Sequence, residues 1–500
     1  MSRPNIVVIC SDQHHPRMTG YRGHPQVRTP NLDALAADGA HFTNAYCTSP
    51  ICVPSRMSFT TGKYANEVGS WFLYVPLDEK ETTWPRRLEA SGYRTTMLGK
   101  LDLCGPYQDA GFGEHRIIER RGAWARYPRD TPFVDRLNGY VRPDKRRHID
   151  NSGIRAPLVT DGRHGHDDRY GFYDHDRIVT DWAVEYLRDK GTAQSTEDPW
   201  ALYVGLLYPH WPYCVPEEYF RQYFPDNVTM PHDAHFPNDA LHPPLRHFQS
   251  CLGIDGITED DVRRTVAAYY GMITALDDNI GRIIGELKAQ GRYEDTYIIY
   301  LSDHGESLGE HGLFYKQCSY EGSVGVPVVL HGPGVEPGTR FEAPVSLIDL
   351  YPTILDLAGV DCEPDRPGRS WRRLVAGTEE PAEAVFAEFH GNFFTDSWYL
   401  IRTGDLKYTW YGNARPTLFD IAADPGEMHD LADDPAYADA LADCERILRG
   451  IVDPEATALR AKRDLGLIGP DGEDYTRTLT VADVRAAQRD GRLPAEPPMV

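Results

Sequence analysis

Several stretches of this chain carry residue types that could do chemistry together. Cys52-Val53-Pro54-Ser55-Arg56, with Thr61-Gly62 after it, sets a thiol just ahead of a proline that suits the first turn of a helix. A helix N-terminus presents the positive end of the macrodipole, which favours an anion there. Arg56 lies one turn on and can point back at the same spot. The bland alternative is a buried structural cysteine, the commonest fate of a lone one. Ser11-Asp12-Gln13 and Ser302-Asp303-His304-Gly305 each follow an apolar run. Acidic residues from two strand ends make a site for a hard cation. His304 adds a softer ligand, so Mn²⁺ fits as well as Ca²⁺ or Mg²⁺. Taken singly, Asp12 and Asp303 read equally well as helix caps. The segment around Lys100 and the run Tyr208-Pro209-His210-Trp211-Pro212 complete the set.

Residues so far apart need a frame that brings them together. Asn5–Cys10 is a continuous apolar run, the mark of a strand covered on both faces. Trp200–Leu207 and Thr296–Leu301 read the same way. A long helical pattern, Asp260–Gln290, lies between those two. Another, near Asp174–Lys190, places Ile178, Trp182 and Tyr186 on one face. Thr29-Pro30 starts a short helix that Gly39 ends. Alternating strands and helices predict an α/β fold with a mainly parallel sheet. In such sheets ligands bind outside the carboxyl ends of the strands, where all four polar clusters fall. The texture changes after Trp371. Val385–Glu388, Tyr399–Arg402, Lys407–Trp410 and Thr417–Asp420 predict a small antiparallel sheet, and from Asp434 the chain reads as helix and then polar tail. We therefore expect a large catalytic domain over 1–375 and a small α+β domain with the tail over 376–500. The tail is expected to serve subunit contacts in a homo-oligomer.

Five hundred residues exceed one ordinary core, and 25% charged content is that of a soluble globular chain. A formal charge of -23 argues against a nucleic-acid or anionic-membrane partner. No window is apolar enough to span a bilayer. The Asn5–Cys10 strand begins too early for a signal peptide. Nine scattered cysteines suit a reducing compartment, and the expected location is cytoplasmic. An anionic substrate would still need a local positive site. Between His115 and His148 ten basic residues face four acids, with Trp124, Tyr127, Phe133 and Tyr140 interleaved. Arg126 and Arg129 are expected to bind a second anionic group, such as a uronate carboxylate, because arginine grips carboxylates bidentately. The alternative is a solvated loop whose arginines pair with surface acids.

At Cys52–Gly62 the chain resembles the sulfatase family of the alkaline-phosphatase superfamily, whose signature is Cys (or Ser)-x-Pro-x-Arg followed by Thr-Gly. Further segments are similar to the family's other motifs, in order. They are Thr29–Asp33, Gly92–Thr95 leading to Gly99-Lys100, Pro209–Pro212, Ser302–Gly305, Gly309–Gly312 to Lys316, Tyr320-Glu321, Asp349–Thr353, and Leu418–Asp420 with Asp424-Pro425. The resemblance covers roughly residues 4 to 435. It implies an alkaline-phosphatase-like fold and hydrolysis of sulfate monoesters. It implies that a formylglycine-generating enzyme oxidises Cys52 to an aldehyde that hydrates to a diol. One hydroxyl of the diol attacks sulfur, and the other then loses its proton to expel sulfate. One divalent metal, Ca²⁺ before Mn²⁺ or Mg²⁺, would be held by Asp12, Gln13, residue 52, Asp303 and His304. Arg56 would hold the diol, Lys100 and Lys316 the sulfate oxygens, and His210 would protonate the departing alcohol.

Two departures stand out. Asp102 occupies a position where the family usually has histidine, and is expected to bind substrate; the alternative is an acceptor that only supports Lys100. The metal set Asp12-Gln13 with Asp303-His304 replaces the commoner Asp-Asp with Asp-Asn. Gly99-Lys100-Leu101-Asp102 is similar to the branch containing arylsulfatase K, a glucuronate 2-sulfatase. That implies a sulfated uronate as substrate, ahead of other sulfated carbohydrates and aryl sulfates. Phosphonate monoester and phosphodiester hydrolases of the same superfamily share the Asp-Gln and Asp-His pattern and are the competing class. Lys100 favours sulfate, since those enzymes tend to lack the Gly-Lys pair. A non-catalytic binding protein would not need Cys52, Arg56, Asp12, Asp303, Lys316 and His210 together.

Overall fold

A computed structural model of the chain describes residues 3–73, 75–103, 107–117, 172–192, 199–235, 238–252, 257–391, 394–469 and 471–477. The main sheet has nine strands: β1 (Asn5–Ser11), β2 (Ala40–Tyr46), β3 (Arg94–Gly99), β4 (Glu114–Arg116), β5 (Trp200–Gly205), β6 (Thr296–Ser302), β7 (Gly325–His331), β8 (Thr339–Phe341) and β9 (Val345–Ser346). Their order is β4-β3-β5-β1-β6-β7-β2-β8, with β9 also paired to β2. The apolar run of β1 sits at the centre, parallel to both neighbours, with Val8 between Tyr203 and Ile299. Every residue of β1, β5 and β6 is buried, as strands covered by helices on both faces must be. β7 runs antiparallel to β6 and β2, so the sheet is mixed and mostly parallel.

Helices flank the sheet. The Glu259–Ala289 helix starts with a capping box, in which Thr258 accepts from the Asp261 N–H while the Asp261 carboxylate accepts from that of Thr258. Three acids in its first turn meet the macrodipole. Asp277, buried within it, accepts from the Asn31 and Leu32 N–H groups at 3.0 and 2.8 Å, and so caps the Pro30–Ala37 helix from outside. The Phe172–Thr192 helix forms where expected but is rotated. Val179, Ala183 and Leu187 are its buried row, whereas Ile178 is exposed and Trp182 and Tyr186 are only partly buried. The helix packs on β3 and β5 through the row one position further along the chain from the expected one.

The second sheet is an antiparallel meander of β10 (Val385–Phe389), β11 (Trp398–Thr403), β12 (Leu406–Tyr411) and β13 (Ala414–Asp420). Alternate residues point to opposite faces. Ala387, Phe389, Trp398 and Leu400 join the main core. Phe386, Tyr399, Ile401, Tyr408 and Leu418 make a smaller cluster with Cys444 and Leu448 of the Ala438–Ile451 helix. No described helix is long and apolar enough to cross a membrane. The tail expected to serve subunit contacts falls, from residue 478 on, outside the described residues.

Candidate active site

The parallel strands deliver their polar clusters to one end of the sheet. Asp12 and Gln13 follow β1, Lys100 follows β3, His210 lies five residues past β5, and Asp303 and His304 follow β6. The close approach of β3 and β5 depends on glycine. A side chain on Gly205 would put its Cβ 1.8 Å from the Lys100 carbonyl oxygen, and Gly99 has φ +83. The chain can therefore turn sharply at Lys100 and aim that carbonyl at Arg56 Nη1, 3.0 Å away.

Cys52 is the first residue of the helix Cys52–Thr61, all of which is buried. Its Sγ lies 3.4 Å from His304 Nε2 and 4.0 Å from Asp12 Oδ1. Burial and the Asp12 charge push the thiol up to about 11, so an unmodified Cys52 would hold its proton at neutral pH. Arg56 reaches back along the helix as expected, but to the carboxylates. Its Nε donates to Asp303 Oδ2 at 2.8 Å, its Nη2 to Asp12 Oδ2 at 3.2 Å and its Nη1 to the Tyr203 hydroxyl at 3.1 Å. All three charged groups are fully buried. Burial works against ionisation of Asp12, but the positive charges beside it, Lys100 first and Arg56 with it, hold its carboxyl well below the usual range.

The donor set suits a divalent cation. Asp12, Cys52, Asp303 and His304 each offer one ligand atom, all within 4.8 Å of one another. Asp12 Oδ2 is taken by Arg56 and Lys100, which leaves Oδ1 facing Cys52 and His304. His304 Nδ1 donates to the Gly305 carbonyl at 3.0 Å, which leaves the Nε2 lone pair pointing between Asp12 and Asp303. Burial pushes the ring down to about 4, so it is neutral and able to ligate. Gln13, at φ 69, donates its N–H to Asp303 Oδ1 at 3.1 Å.

The cationic groups surround this centre. Lys100 Nζ contacts Asp12 Oδ2 and lies 3.2 Å from Asp102 Oδ2, which places Asp102 beside Lys100 as an acceptor. Lys316 Nζ donates to Gln13 Oε1 and sits 2.9 Å from His210 Nε2. His210 Nδ1 donates to the Trp211 carbonyl, which turns Nε2 inward to within 4.0 Å of Asp12 Oδ1. Asp176, from the Phe172–Thr192 helix, accepts from the N–H groups of Leu207 and Tyr208 at 2.7 and 2.8 Å and anchors the His210 loop. The structure thus brings together Asp12, Gln13, Cys52, Arg56, Lys100, Asp102, His210, Asp303, His304 and Lys316. Arg126 and Arg129, with the rest of the basic stretch past Ile117, lie outside the described residues. Sequence reasoning missed Tyr203, Asp176 and Glu306. Glu306 stands three places after Asp303, the one cue available, but nothing local says that it points inward.

The chain is similar to known proteins in sequence and in fold. The sulfatase family model matches residues 4–360, and that of the N-sulphoglucosamine sulphohydrolase C-terminal region matches 309–452. Arylsulfatase K of Danio rerio is 33% identical over 478 residues, 90% of this chain and 84% of its own length. Arylsulfatase K of Homo sapiens is 32% identical over 455 residues, 86% and 79% of the two chains. Among solved structures, the phosphonate monoester hydrolase of Agrobacterium radiobacter superposes with a TM-score of 0.69 at 24% identity, covering 90% of this chain and 95% of its own. A protein solved with its substrate D-glucosamine-2-N,6-O-disulfate gives 0.71 at 21% identity, covering 91% and 99%. The fold is that of these enzymes, and the chain belongs to the sulfatase family as a sulfuric ester hydrolase.

Proposed function

We propose that the chain hydrolyses sulfate monoesters through a nucleophile at residue 52, formed by conversion of Cys52 to formylglycine. One divalent cation, Ca²⁺ before Mn²⁺ or Mg²⁺, is held by Asp12, Gln13, residue 52, Asp303 and His304. The observation that carries this reading is the convergence of Cys52, Lys100, His210 and Lys316 on the buried Asp12–Asp303–His304 donors. The charge balance supports a cation. Among the described residues of the site, Asp12, Asp102, Asp303 and Glu306 face Arg56, Lys100 and Lys316, a formal -1 with His210 counted neutral that a divalent ion turns to +1. That sign suits an anionic ester within a chain of -23. A bound cation supplies Lewis-acid polarisation of the sulfate oxygens and favours an ionised hydroxyl at residue 52. The hydrated aldehyde at residue 52 supplies that hydroxyl for attack on sulfur. Arg56 fixes the two carboxylates, Lys100 and Lys316 take the sulfate oxygens, and His210 Nε2 gives a proton to the bridging oxygen.

The substrate proposed is a sulfated uronate, on the strength of the Gly99–Asp102 similarity and the basic stretch after His115. The second reading is a phosphonate monoester or phosphodiester hydrolase, favoured by the Gln13 and His304 donors. A sulfate ester and a phosphodiester of one alcohol separate the two. The sulfate ester is expected to show the higher kcat/KM, and a preference for the phosphodiester would sink the first reading.

His210 carries its own expected result. A poor leaving group needs a proton and a good one does not. His210→Ala should therefore lose roughly 10²–10⁴-fold in kcat on an alkyl sulfate and far less on a nitrophenyl sulfate. Equal losses on the two would remove the general-acid role.

A further inference from the structure

Glu306 takes no part in the steps above, yet it touches three parts of the site. It is fully buried, and four donors converge on it. Its Oε1 accepts from the N–H groups of Leu308 at 2.7 Å and Tyr315 at 2.6 Å. Its Oε2 accepts from the Tyr213 hydroxyl at 3.0 Å and from Gln13 Nε2. Tyr213 belongs to the loop that carries His210, and Tyr315 immediately precedes Lys316.

The contact with Gln13 has a directional consequence. A side-chain amide has one end that donates and one that accepts. A carboxylate with both oxygens already accepting can meet only the NH₂ end. Glu306 therefore holds Gln13 with Nε2 turned away from the site and Oε1 turned into it, where Lys316 Nζ donates to that oxygen. The Gln13 backbone is fixed as well, by its N–H on Asp303 and by its carbonyl, which accepts from the Tyr269 hydroxyl. The side chain's remaining freedom is the flip of its amide. A carboxylate at position 13 would have no such freedom to lose, because its two oxygens are equivalent. A glutamine ligand needs a device that selects its oxygen.

We infer that Glu306 is a positioning residue for the divalent cation, selecting the Gln13 amide orientation that presents Oε1 to the Asp12–Asp303–His304 donors. The inference rests on the metal reading proposed above. The same carboxylate ties that amide to the loops bearing His210 and Lys316, so one buried group sets the cation ligand and both neighbours together. Outer partners of this kind typically contribute 10–100-fold to metal affinity.

Glu306→Gln tests it with almost no change of shape. The new Oε1 can still accept from Leu308 and Tyr315, but the new NH₂ meets the Gln13 NH₂, donor against donor. Gln13 must then turn its own NH₂ into the site. Calorimetric titration of CaCl₂ into metal-free protein should show Kd weakened about 10–100-fold. Thermal unfolding of the metal-free protein should stay close to that of the wild type. The double variant Gln13→Glu/Glu306→Gln restores a donor–acceptor pair with the charge exchanged, and should regain most of the affinity. Equal Ca²⁺ affinity in wild type and Glu306→Gln would overturn the assignment, as would a double variant no tighter than the single one. Should the single variant unfold, the double variant decides alone: affinity near wild type upholds the pairing and weak binding overturns it. A wild-type protein that binds neither Ca²⁺ nor Mn²⁺ would overturn the metal reading, and this inference with it.

Discussion

Cys52→Ala is expected to abolish turnover while leaving the fold in place. The nucleophile precursor has no substitute among the residues that surround it. Arg56, Lys100 and Lys316 are cations, and Asp12 and Asp303 are bound to them. Loss of a nucleophile in comparable hydrolases costs about 10⁴–10⁶-fold in kcat. Stability should barely move. The substitution removes a single sulfur whose polar neighbours lie at 3.4 and 4.0 Å, a change of about 1 kcal/mol or less. Activity assays and thermal unfolding on the same preparation read both effects. A variant that folds and keeps the wild-type rate would remove the role of residue 52. A variant that does not fold would make Cys52 a core cysteine instead.

Arg56→Ala should damage the protein more than any other single change at this site. Its guanidinium is the fixed counter-charge shared by two fully buried carboxylates, and it also holds the Lys100 carbonyl and the Tyr203 hydroxyl. Removing one partner of a buried ion pair typically costs about 3–5 kcal/mol, because the remaining charge is left without compensation. Here two carboxylates lose it together. Arg56→Lys keeps the charge but cannot span four acceptors with one compact ammonium, so it should recover only part of the stability. Urea denaturation of metal-free protein measures the loss. Added Ca²⁺ should partly rescue Arg56→Ala, since a cation among Asp12, Asp303 and His304 supplies the missing positive charge. A metal-free Arg56→Ala variant as stable as wild type would show that the carboxylates are balanced by something else.

Much of the frame could be read from the residues because the physics was local. Asn5–Cys10, Trp200–Leu207 and Thr296–Leu301 are near-continuous apolar runs, the pattern of strands covered on both faces. Once those were parallel neighbours, Asp12, His210, Asp303 and His304 had to emerge at one end. The small sheet announced itself through short alternating strands between turns. What escaped was decided by packing. The buried row of the Phe172–Thr192 helix is Val179, Ala183 and Leu187, while Ile178 is exposed and Trp182 and Tyr186 are only partly buried. Asp176 is one of several acids on its helix, with nothing in the sequence to single it out, yet it is buried and holds the Leu207–Tyr208 backbone. Glu306 followed Asp303-His304-Gly305 with no mark of its own, because its partners at 13, 213 and 315 come from other loops. The aim of Arg56 was half legible. One helical turn returned it to the right place, but its targets sit 44 and 247 residues away.

Residue 52 is proposed to become an aldehyde on which catalysis depends. Mass spectrometry of the peptide containing residue 52, taken from protein that hydrolyses a sulfate ester, tests this directly. The expected peptide has the thiol of Cys52 replaced by the aldehyde oxygen of formylglycine, in a fraction that tracks specific activity across preparations. A fully active preparation whose residue 52 is entirely unmodified cysteine would contradict it.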